Sequence, residues 1–243
     1  MNSTVATLTA RSLLGHRRAL LLLALPAVFL VLAVISRWLA GEDSGNTVVL
    51  LGGFALGTLV PLLGLIAGTG AIGPEIDDGS VVYLLSKPLG RHTIVRTKLA
   101  VAVGVVVTFA VLPTLVAGLI LSGGSDRLAV GFAVAALVAG IAYCALFLAL
   151  AVMTRHAVVV GLLYALIWET LVGNFVPGAQ ALSVQQWALA LTEKIVGSSR
   201  SAELSITPAV GLGAAVPLLL VVVVGFTWYA GRRLRSLRIA GDE

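Results

Sequence analysis

Six apolar stretches fill most of this 243-residue chain. They lie near residues 19–36, 47–71, 99–121, 128–152, 157–176 and 208–230. A helix needs roughly 20 apolar residues to cross the hydrocarbon core of a bilayer. Because lipid offers no partners for exposed backbone groups, such stretches are predicted to be helices. The sequence therefore predicts an all-α membrane protein with little soluble mass.

Composition excludes a soluble fold. Hydrophobic residues make up 59% of the chain and charged residues only 11%, whereas a soluble domain carries about 25% charged residues. The length suits one domain, here predicted to span residues 1–243. The single cysteine, Cys144, lies inside the fourth stretch and excludes a disulfide framework and a cysteine-rich zinc site.

The first apolar stretch has two interpretations. Arg11, Arg17 and Arg18 resemble the positive region of a signal peptide. The apolar run over 19–35, however, exceeds the usual ~7–15 residues of a signal peptide core. A retained membrane helix is therefore the preferred prediction, with a cleaved signal as the alternative.

The basic residues predict the orientation. With six spans and both termini on one side, twelve of the 16 Lys and Arg residues lie on that side. Short cytoplasmic loops carry such an excess, so both termini are predicted to be cytoplasmic. This bias accounts for the high pI without a nucleic acid partner. The twelve are Arg11, Arg17, Arg18, Lys87, Arg91, Arg96, Lys98, Arg155, Arg232, Arg233, Arg235 and Arg238.

Two segments outside the spans have recognisable patterns. Residues 1–18 alternate apolar and polar residues, which suits either a short helix in the cytoplasmic interface or a charged tail. The outer loop 174–207 contains an S-x-x-Q capping box at Ser183 and Gln186, followed by apolar residues at helical spacing up to Gly197. We expect an amphipathic helix there, resting on the outer mouth of the bundle.

The second stretch is rich in glycine. Gly53, Gly57, Gly64 and Gly68 fall within roughly 60° of one helix face. Such a stripe of small residues lets another helix approach closely. The partner helix is predicted to come from the same chain or from a second subunit.

Common catalytic and nucleotide-binding patterns are not supported. The run Gly68 to Gly73 matches G-x-G-x-x-G, but it follows a predicted membrane helix instead of a strand. The chain has no G-x-x-x-x-G-K-[S/T] loop, and no two of its histidines are three or four residues apart. The sequence therefore does not predict an ATPase, any other enzyme or a metal-binding protein.

Glu169 is the one carboxylate inside an apolar stretch. Counting from the inner edge near Ala157, it lies roughly 18 Å up, in the outer half of the bilayer. Acidic residues in membranes are costly and face a cavity or a partner. Two roles stay open: a place on a translocation path, or a structural hydrogen bond.

The longest cytoplasmic segment, 73–98, carries the most specific pattern. Pro74 suits a first helical position, acidic residues suit the first turn, and Gly79 interrupts the helix. A compact charged protrusion of this kind suits docking of a soluble partner, while an ordinary solvated loop is the alternative. The candidate docking residues are Glu75, Asp77, Asp78, Gly79, Lys87, Pro88 and Arg91.

Two motifs in this segment point to a family. E-x-x-x-G-[S/T], from Glu75 to Ser80, is followed by L-L-S-K-P-x-x-R, from Leu84 to Arg91, both after the second of six stretches. In these features the chain resembles the permease subunit of an ABC-2 type ABC transporter. Trp168-Glu169, Gly173-Asn174 and Pro177-Gly178 also resemble members of that family.

The resemblance implies a six-helix permease bundle in the bacterial cytoplasmic membrane, in contact with membrane lipids. It implies pairing with a second, same or similar, permease subunit and with separate ATPase subunits, which bind the ATP and Mg²⁺. On this resemblance, segment 73–98 would couple ATP-driven motion to transport, in the direction of export. Alternatives are an ion-coupled secondary transporter that uses Glu169 and a non-transporting membrane scaffold.

Overall fold

The computed structural model describes residues 3–78, 90–123, 126–172 and 178–236. No strand occurs within these ranges. The helices are α1 Ser3–Leu13, α2 His16–Ala40, α3 Ser44–Val48, α4 Val60–Gly70, α5 Gly73–Asp77, α6 Arg91–Val106, α7 Leu112–Leu121, α8 Asp126–Met153, α9 Ala157–Leu163, α10 Val184–Val196, α11 Ser198–Glu203 and α12 Leu212–Ser236. The predicted all-helical class is confirmed over this part of the chain.

Wide helical turns occur inside the apolar helices. A π-helical segment, Val49–Leu59, joins α3 to α4, a second, Val107–Val111, joins α6 to α7, and a third, Tyr164–Val172, extends α9. Pro61 and Pro113 follow the first two segments in the first turn of α4 and α7. Proline lacks the N–H that an α-helix needs, so the wide turns lie where that donor is missing.

In the described part of the chain, five helical stretches are long and apolar enough to cross a membrane. They are Leu22–Ala40, Ser44–Ile76, Arg91–Leu121, Arg127–Met153 and Leu212–Leu234. The fifth predicted stretch, 157–176, is a shorter apolar helix, of which Ala157–Val172 is described. Even at the α-helical rise of 1.5 Å per residue these sixteen residues would span about 24 Å, and the wider π-helical turns of Tyr164–Val172 shorten that length. The described part of this helix is thus shorter than the hydrocarbon core.

The last apolar helix differs in its start from the prediction. The predicted stretch covers residues 208–230, whereas the helix in the structure runs from Leu212 to Ser236. Residues 206–211 are not helical, and the Ala209 N–H donates to Gln186 Oε1 of α10 at 3.2 Å. Pro208 disfavours a helical conformation at the residue before it. The hydrogen bond to α10 also gives the backbone of this segment a partner outside its own helix.

Helix α8 is the centre of the bundle and packs on α4, α7, α10 and α12. Its buried positions are mostly alanines, which let neighbours approach from several sides. Among the 18 most apolar consecutive residues of α8, 67% are buried, compared with 11% for α12 and 22% for α2. The latter two helices are therefore peripheral, with apolar side chains facing outward.

The N-terminal helix α1 is amphipathic. Val5, Thr9 and Leu13, spaced four residues apart, are buried, while Leu8 and Leu14 are exposed. The buried face packs on α6 and α4. The sequence allowed either a short helix or a charged tail for this segment, and the structure shows a helix.

Candidate functional site: the cytoplasmic segment and a buried carboxylate

Segment 73–98 is anchored to the bundle by a lysine. Lys98 on α6 is completely buried, and its Nζ donates to the carbonyl oxygen of Ala71 at 2.6 Å. The same Nζ forms a salt bridge with Glu75 Oε1 at 2.7 Å. Ala71 is the C-cap of α4, so the ammonium satisfies a carbonyl at a helix end where positive charge is favourable. One side chain thus joins α4, α5 and α6.

Arg91 anchors the other end of the segment. It is the first residue of α6, after the N-cap Gly90, and its Nη1 donates to the carbonyl oxygen of Leu234 at 2.8 Å. Leu234 lies in the last turn of α12, another helix end that favours a cation. The start of α6 is therefore fixed to the end of α12.

The predicted docking residues accordingly fall into three groups. Glu75 and Arg91 have partners inside the chain, on different helices. Asp78 is exposed just after α5, and Asp77 ends α5. Gly79, Lys87 and Pro88 lie outside the described residues. The structure thus gives Glu75 and Arg91 bonds within the chain that the sequence did not reveal.

Lys98 was missed as a functional residue. In the sequence it is only the last of several basic residues before an apolar run. The sequence does contain one indication of this role: an acidic residue, Glu75, lies near the start of the segment and a basic residue, Lys98, lies at its end. Burial of a lysine beside an apolar run favours pairing with such a carboxylate.

Glu169 is fully buried and surrounded by donors. Its Oε1 accepts from the Tyr164 hydroxyl at 3.1 Å and from the Val184 N–H at 3.1 Å. Its Oε2 accepts from the Ser183 hydroxyl at 2.5 Å and from the Gln185 N–H at 3.4 Å. Tyr164 and Glu169 are five residues apart in a π-helical segment, whose wide turn brings i and i+5 together.

This carboxylate lies at the N-terminus of α10, where negative charge is favourable. Ser183 is the N-cap of α10: its hydroxyl donates to Glu169 and accepts from the Gln186 N–H at 3.4 Å. The predicted start after Ser183 and the end at Gly197 are both confirmed. Gln186 does not complete the predicted capping box, because its Oε1 accepts from the Ala209 N–H and the Ser183 N–H donates to the Gln180 carbonyl oxygen. Glu169 therefore links the fifth apolar helix to α10.

Helix α10 lies deeper than a helix resting on the surface. Its Gln185 Nε2 donates to the Gly52 carbonyl at 2.9 Å, and its Thr192 hydroxyl donates to the Gly131 carbonyl at 3.3 Å. Both side chains are buried. Since these carbonyls belong to the second and fourth apolar helices, α10 is bonded into the bundle, at the end that the sequence predicts to be outer.

The four glycines of the predicted stripe lie in three different environments. A Cβ at Gly64 would lie 2.7 Å from Tyr143 Cβ, and one at Gly68 would lie 3.0 Å from the Cys144 carbonyl oxygen, both on α8. Gly57 faces the Gln185 amide of α10 instead. Gly53 is exposed and a Cβ there would meet no described atom within 4 Å, so no described helix of the same chain packs on it.

No group of three or more His, Cys, Asp or Glu side chains suited to a metal occurs in the described ranges. The G-x-G-x-x-G run also lacks its structural context, because Gly68 and Gly70 lie inside α4. Gly68 and Gly70 belong to a helix that packs on α8 and Gly73 begins α5, so the run is not a phosphate-binding turn after a strand.

Taken together, a bundle of long apolar helices, three of them bonded to segment 73–98, defines a multi-pass membrane protein. A family model described as ABC-2 family transporter protein matches residues 55–230. The match covers more than half of the chain, which therefore belongs to the ABC-2 transporter family. A search of curated proteins gave no match.

Proposed function

We propose that the chain is the membrane-spanning permease subunit of an ATP-driven ABC exporter. In this proposal two permease subunits, the same or similar, enclose the path, and separate subunits bind ATP and Mg²⁺. Membership of the ABC-2 family supports the permease role. The outward direction rests on the family resemblance of residues 73–98.

The observation that carries the coupling proposal is the position of Lys98. Its ammonium bonds to both Ala71 and Glu75, so a displacement of α5 by a docked ATPase would act on α4 and α6 together. Arg91 extends the same connection to α12 through Leu234. Contacts of this kind support transmission of motion through rigid helices.

The surroundings of Glu169 favour this proposal over an ion-coupled transporter. Both carboxylate oxygens accept hydrogen bonds from described donors, and the acid holds α10 in place. A coupling carboxylate has to exchange such donors for an ion in each cycle. We infer a structural role for Glu169 within the permease.

Co-purification tests the proposal. The tagged chain, extracted from its native membranes in mild detergent, is expected to retain a soluble chain that carries a P-loop and hydrolyses ATP. Mass spectrometry identifies that chain, and a phosphate-release assay measures its activity. Recovery without any P-loop protein, under conditions that keep the permease folded, would contradict the proposal.

A matched pair of variants locates the docking surface. Asp78→Arg reverses an exposed charge in the cytoplasmic segment without breaking a bond described in the structure. Glu203→Arg makes the equivalent change at the exposed end of α11, on the predicted outer side. Asp78→Arg should lower ATPase recovery and Glu203→Arg should not. Equal recovery in both would place docking away from Asp78.

A further inference from the structure

A cavity of about 280 Å³ lies between the start of α6 and the end of α12. Its polar part includes His92 and Arg96 of α6, and its apolar part includes Leu99 and Val224. Trp228 of α12 completes the wall. Basic and apolar linings thus meet in one cavity.

The two helices are held together directly below this cavity. Arg91 donates to the Leu234 carbonyl oxygen at 2.8 Å. The His92 ring packs against the backbone at Gly231, where no Cβ would fit. These contacts fix the separation of α6 and α12, so the cavity is part of the fold and not a gap between loose helices.

A second cation borders the cavity. The Arg232 guanidinium lies over the Trp228 ring, with Cζ 4.3 Å from the ring centroid. This cation–π contact holds the exposed arginine beside the cavity wall. Arg96 and Arg232 therefore place two positive charges, one from each helix, near the same opening.

The level of the cavity relative to the membrane follows from the helices. Arg96 is five residues after Arg91, the first residue of α6, and Trp228 is eight residues before Ser236, the last residue of α12. At 1.5 Å per residue they lie about 8 Å and about 12 Å from the cytoplasmic helix ends. Tryptophan is enriched at this depth, where headgroups meet acyl chains. The cavity thus lies at the predicted inner interface.

The outer wall of the cavity faces lipid. Val224 is 63% exposed and Val221 of the same helix is 68% exposed. Helix α12 is the least buried of the five long apolar helices. Exposed valines beside two arginines match an occupant with an acyl chain and an anionic headgroup, and a soluble anion would leave the apolar part empty.

We propose that this cavity binds an anionic phospholipid of the cytoplasmic leaflet. The headgroup phosphate lies between Arg96 and Arg232, and an acyl chain lies against Leu99 and Val224. Basic pockets between membrane helices on the cytoplasmic side are suited to such headgroups. The proposal is independent of the transport function and would hold for a membrane scaffold as well.

Native mass spectrometry of the purified full chain in detergent tests this site. The probes are dioleoyl-phosphatidylglycerol, dioleoyl-phosphatidylethanolamine and inorganic phosphate. We expect the phosphatidylglycerol adduct to form at several-fold lower lipid concentration than the phosphatidylethanolamine adduct. Inorganic phosphate at the same concentration should not displace it. Equal binding of both lipids, or displacement by phosphate, would overturn the proposal.

Variants assign the binding to this cavity. Arg96→Gln and Arg232→Gln should each weaken phosphatidylglycerol binding about five-fold. Arg155→Gln removes an exposed arginine that does not line the cavity and serves as the matched control. If all three variants bind alike, the site is elsewhere.

A third change tests the apolar part without altering charge. Val224→Trp should fill the acyl-chain groove and also weaken binding, while the lipid-exposed position leaves the fold unchanged. Thermal unfolding of each variant verifies that the protein is folded. A Val224→Trp protein that binds phosphatidylglycerol as the wild type does would overturn the proposed acyl-chain contact.

Discussion

Lys98 and Glu75, 23 residues apart in sequence, form a salt bridge in which the two partners are unequally buried. The Lys98 side chain is 0% exposed, whereas that of Glu75 is 29% exposed. Water therefore reaches part of the Glu75 side chain, although not its Oε2, and does not reach the Lys98 ammonium. The two partners should then respond differently to removal of the other.

Glu75→Gln is expected to destabilise the protein more than Lys98→Met. Removing one partner of a buried pair costs about 3–5 kcal/mol, since it leaves an uncompensated charge in the interior. Glu75→Gln leaves the buried ammonium without its counter-charge, and we expect a loss of about 3 kcal/mol. Lys98→Met leaves a carboxylate on a side chain that is only partly buried, and we expect a smaller loss of about 1–2 kcal/mol.

Thermal unfolding in detergent micelles measures this difference. The double variant Glu75→Gln/Lys98→Met is the control, because without the ammonium the Glu75 change should cost little more. Its unfolding midpoint should match that of Lys98→Met. A Glu75→Gln protein as stable as Lys98→Met would show that burial of Lys98 does not govern the pair.

The helices could be predicted from sequence because their signal is strong and local. Apolar length fixed the central helix α8 to within two residues at each end, and the S-x-x-Q box fixed the start of α10 at Val184. The last helix was placed about four residues too early because apolar residues continue through the non-helical lead-in around Pro208. Hydropathy does not register that this backbone bonds to Gln186.

The pairings of the candidate site could not be predicted, because they depend on contacts between helices. The bond from Arg91 to Leu234 joins residues 143 positions apart. Glu169 was recognisable as a costly acid, but the choice among partners needed the position of α10. The depth of Lys98 is likewise a tertiary property: its sequence neighbours are those of an interfacial lysine.

Gly64→Ala is expected to destabilise the bundle, whereas Gly53→Ala is not. The added Cβ at Gly64 would lie 2.7 Å from Tyr143 Cβ, so α4 and α8 have to move apart. Overpacking of this kind costs about 1–3 kcal/mol. At Gly53 the methyl group meets no described atom within 4 Å.

The two alanines form a matched pair. Both replace a glycine with a better helix former, so a common gain of up to about 1 kcal/mol cancels in the comparison. Thermal unfolding should separate the two variants. Equal midpoints would mean that α4 and α8 do not approach as closely as the structure has them. A folded Gly53→Ala protein with weakened self-association would place Gly53 at a subunit interface.

The predicted topology places residues 45 and 199 outside and residue 236 inside. Buried Cys144 is first changed to alanine, a small apolar replacement. Single cysteines at Gly45, Ser199 and Ser236 are then treated in intact cells with a membrane-impermeant maleimide. Gly45→Cys and Ser199→Cys should react, and Ser236→Cys should react only after lysis. External labelling of Ser236→Cys would reject the six-span topology.

Glu169→Gln and Glu169→Leu distinguish a structural from an ion-coupling role. All four neighbours of the carboxylate are donors. Glutamine keeps one acceptor oxygen and turns an NH₂ group toward a donor. The Ser183 hydroxyl can rotate to accept from that group, and only the Gln185 N–H, whose bond is long at 3.4 Å, loses its acceptor. We therefore expect a modest loss of about 1–2 kcal/mol. Leucine leaves the Val184 and Gln185 N–H groups buried and unpaired, and each costs about 1–3 kcal/mol.

Expression, thermal unfolding and transport are compared for both Glu169 variants. If Glu169 has a structural role, the Glu169→Gln protein should be well expressed and transport nearly as the wild type does. The Glu169→Leu protein should lose stability and transport together, because α10 detaches. Ser183→Ala is the companion variant: it removes one donor and the N-cap, and should lower stability by about 1 kcal/mol without stopping transport. An ion-coupling carboxylate predicts the opposite, since Glu169→Gln removes the titratable proton. A stable, well-expressed Glu169→Gln protein without transport would therefore reject the structural role.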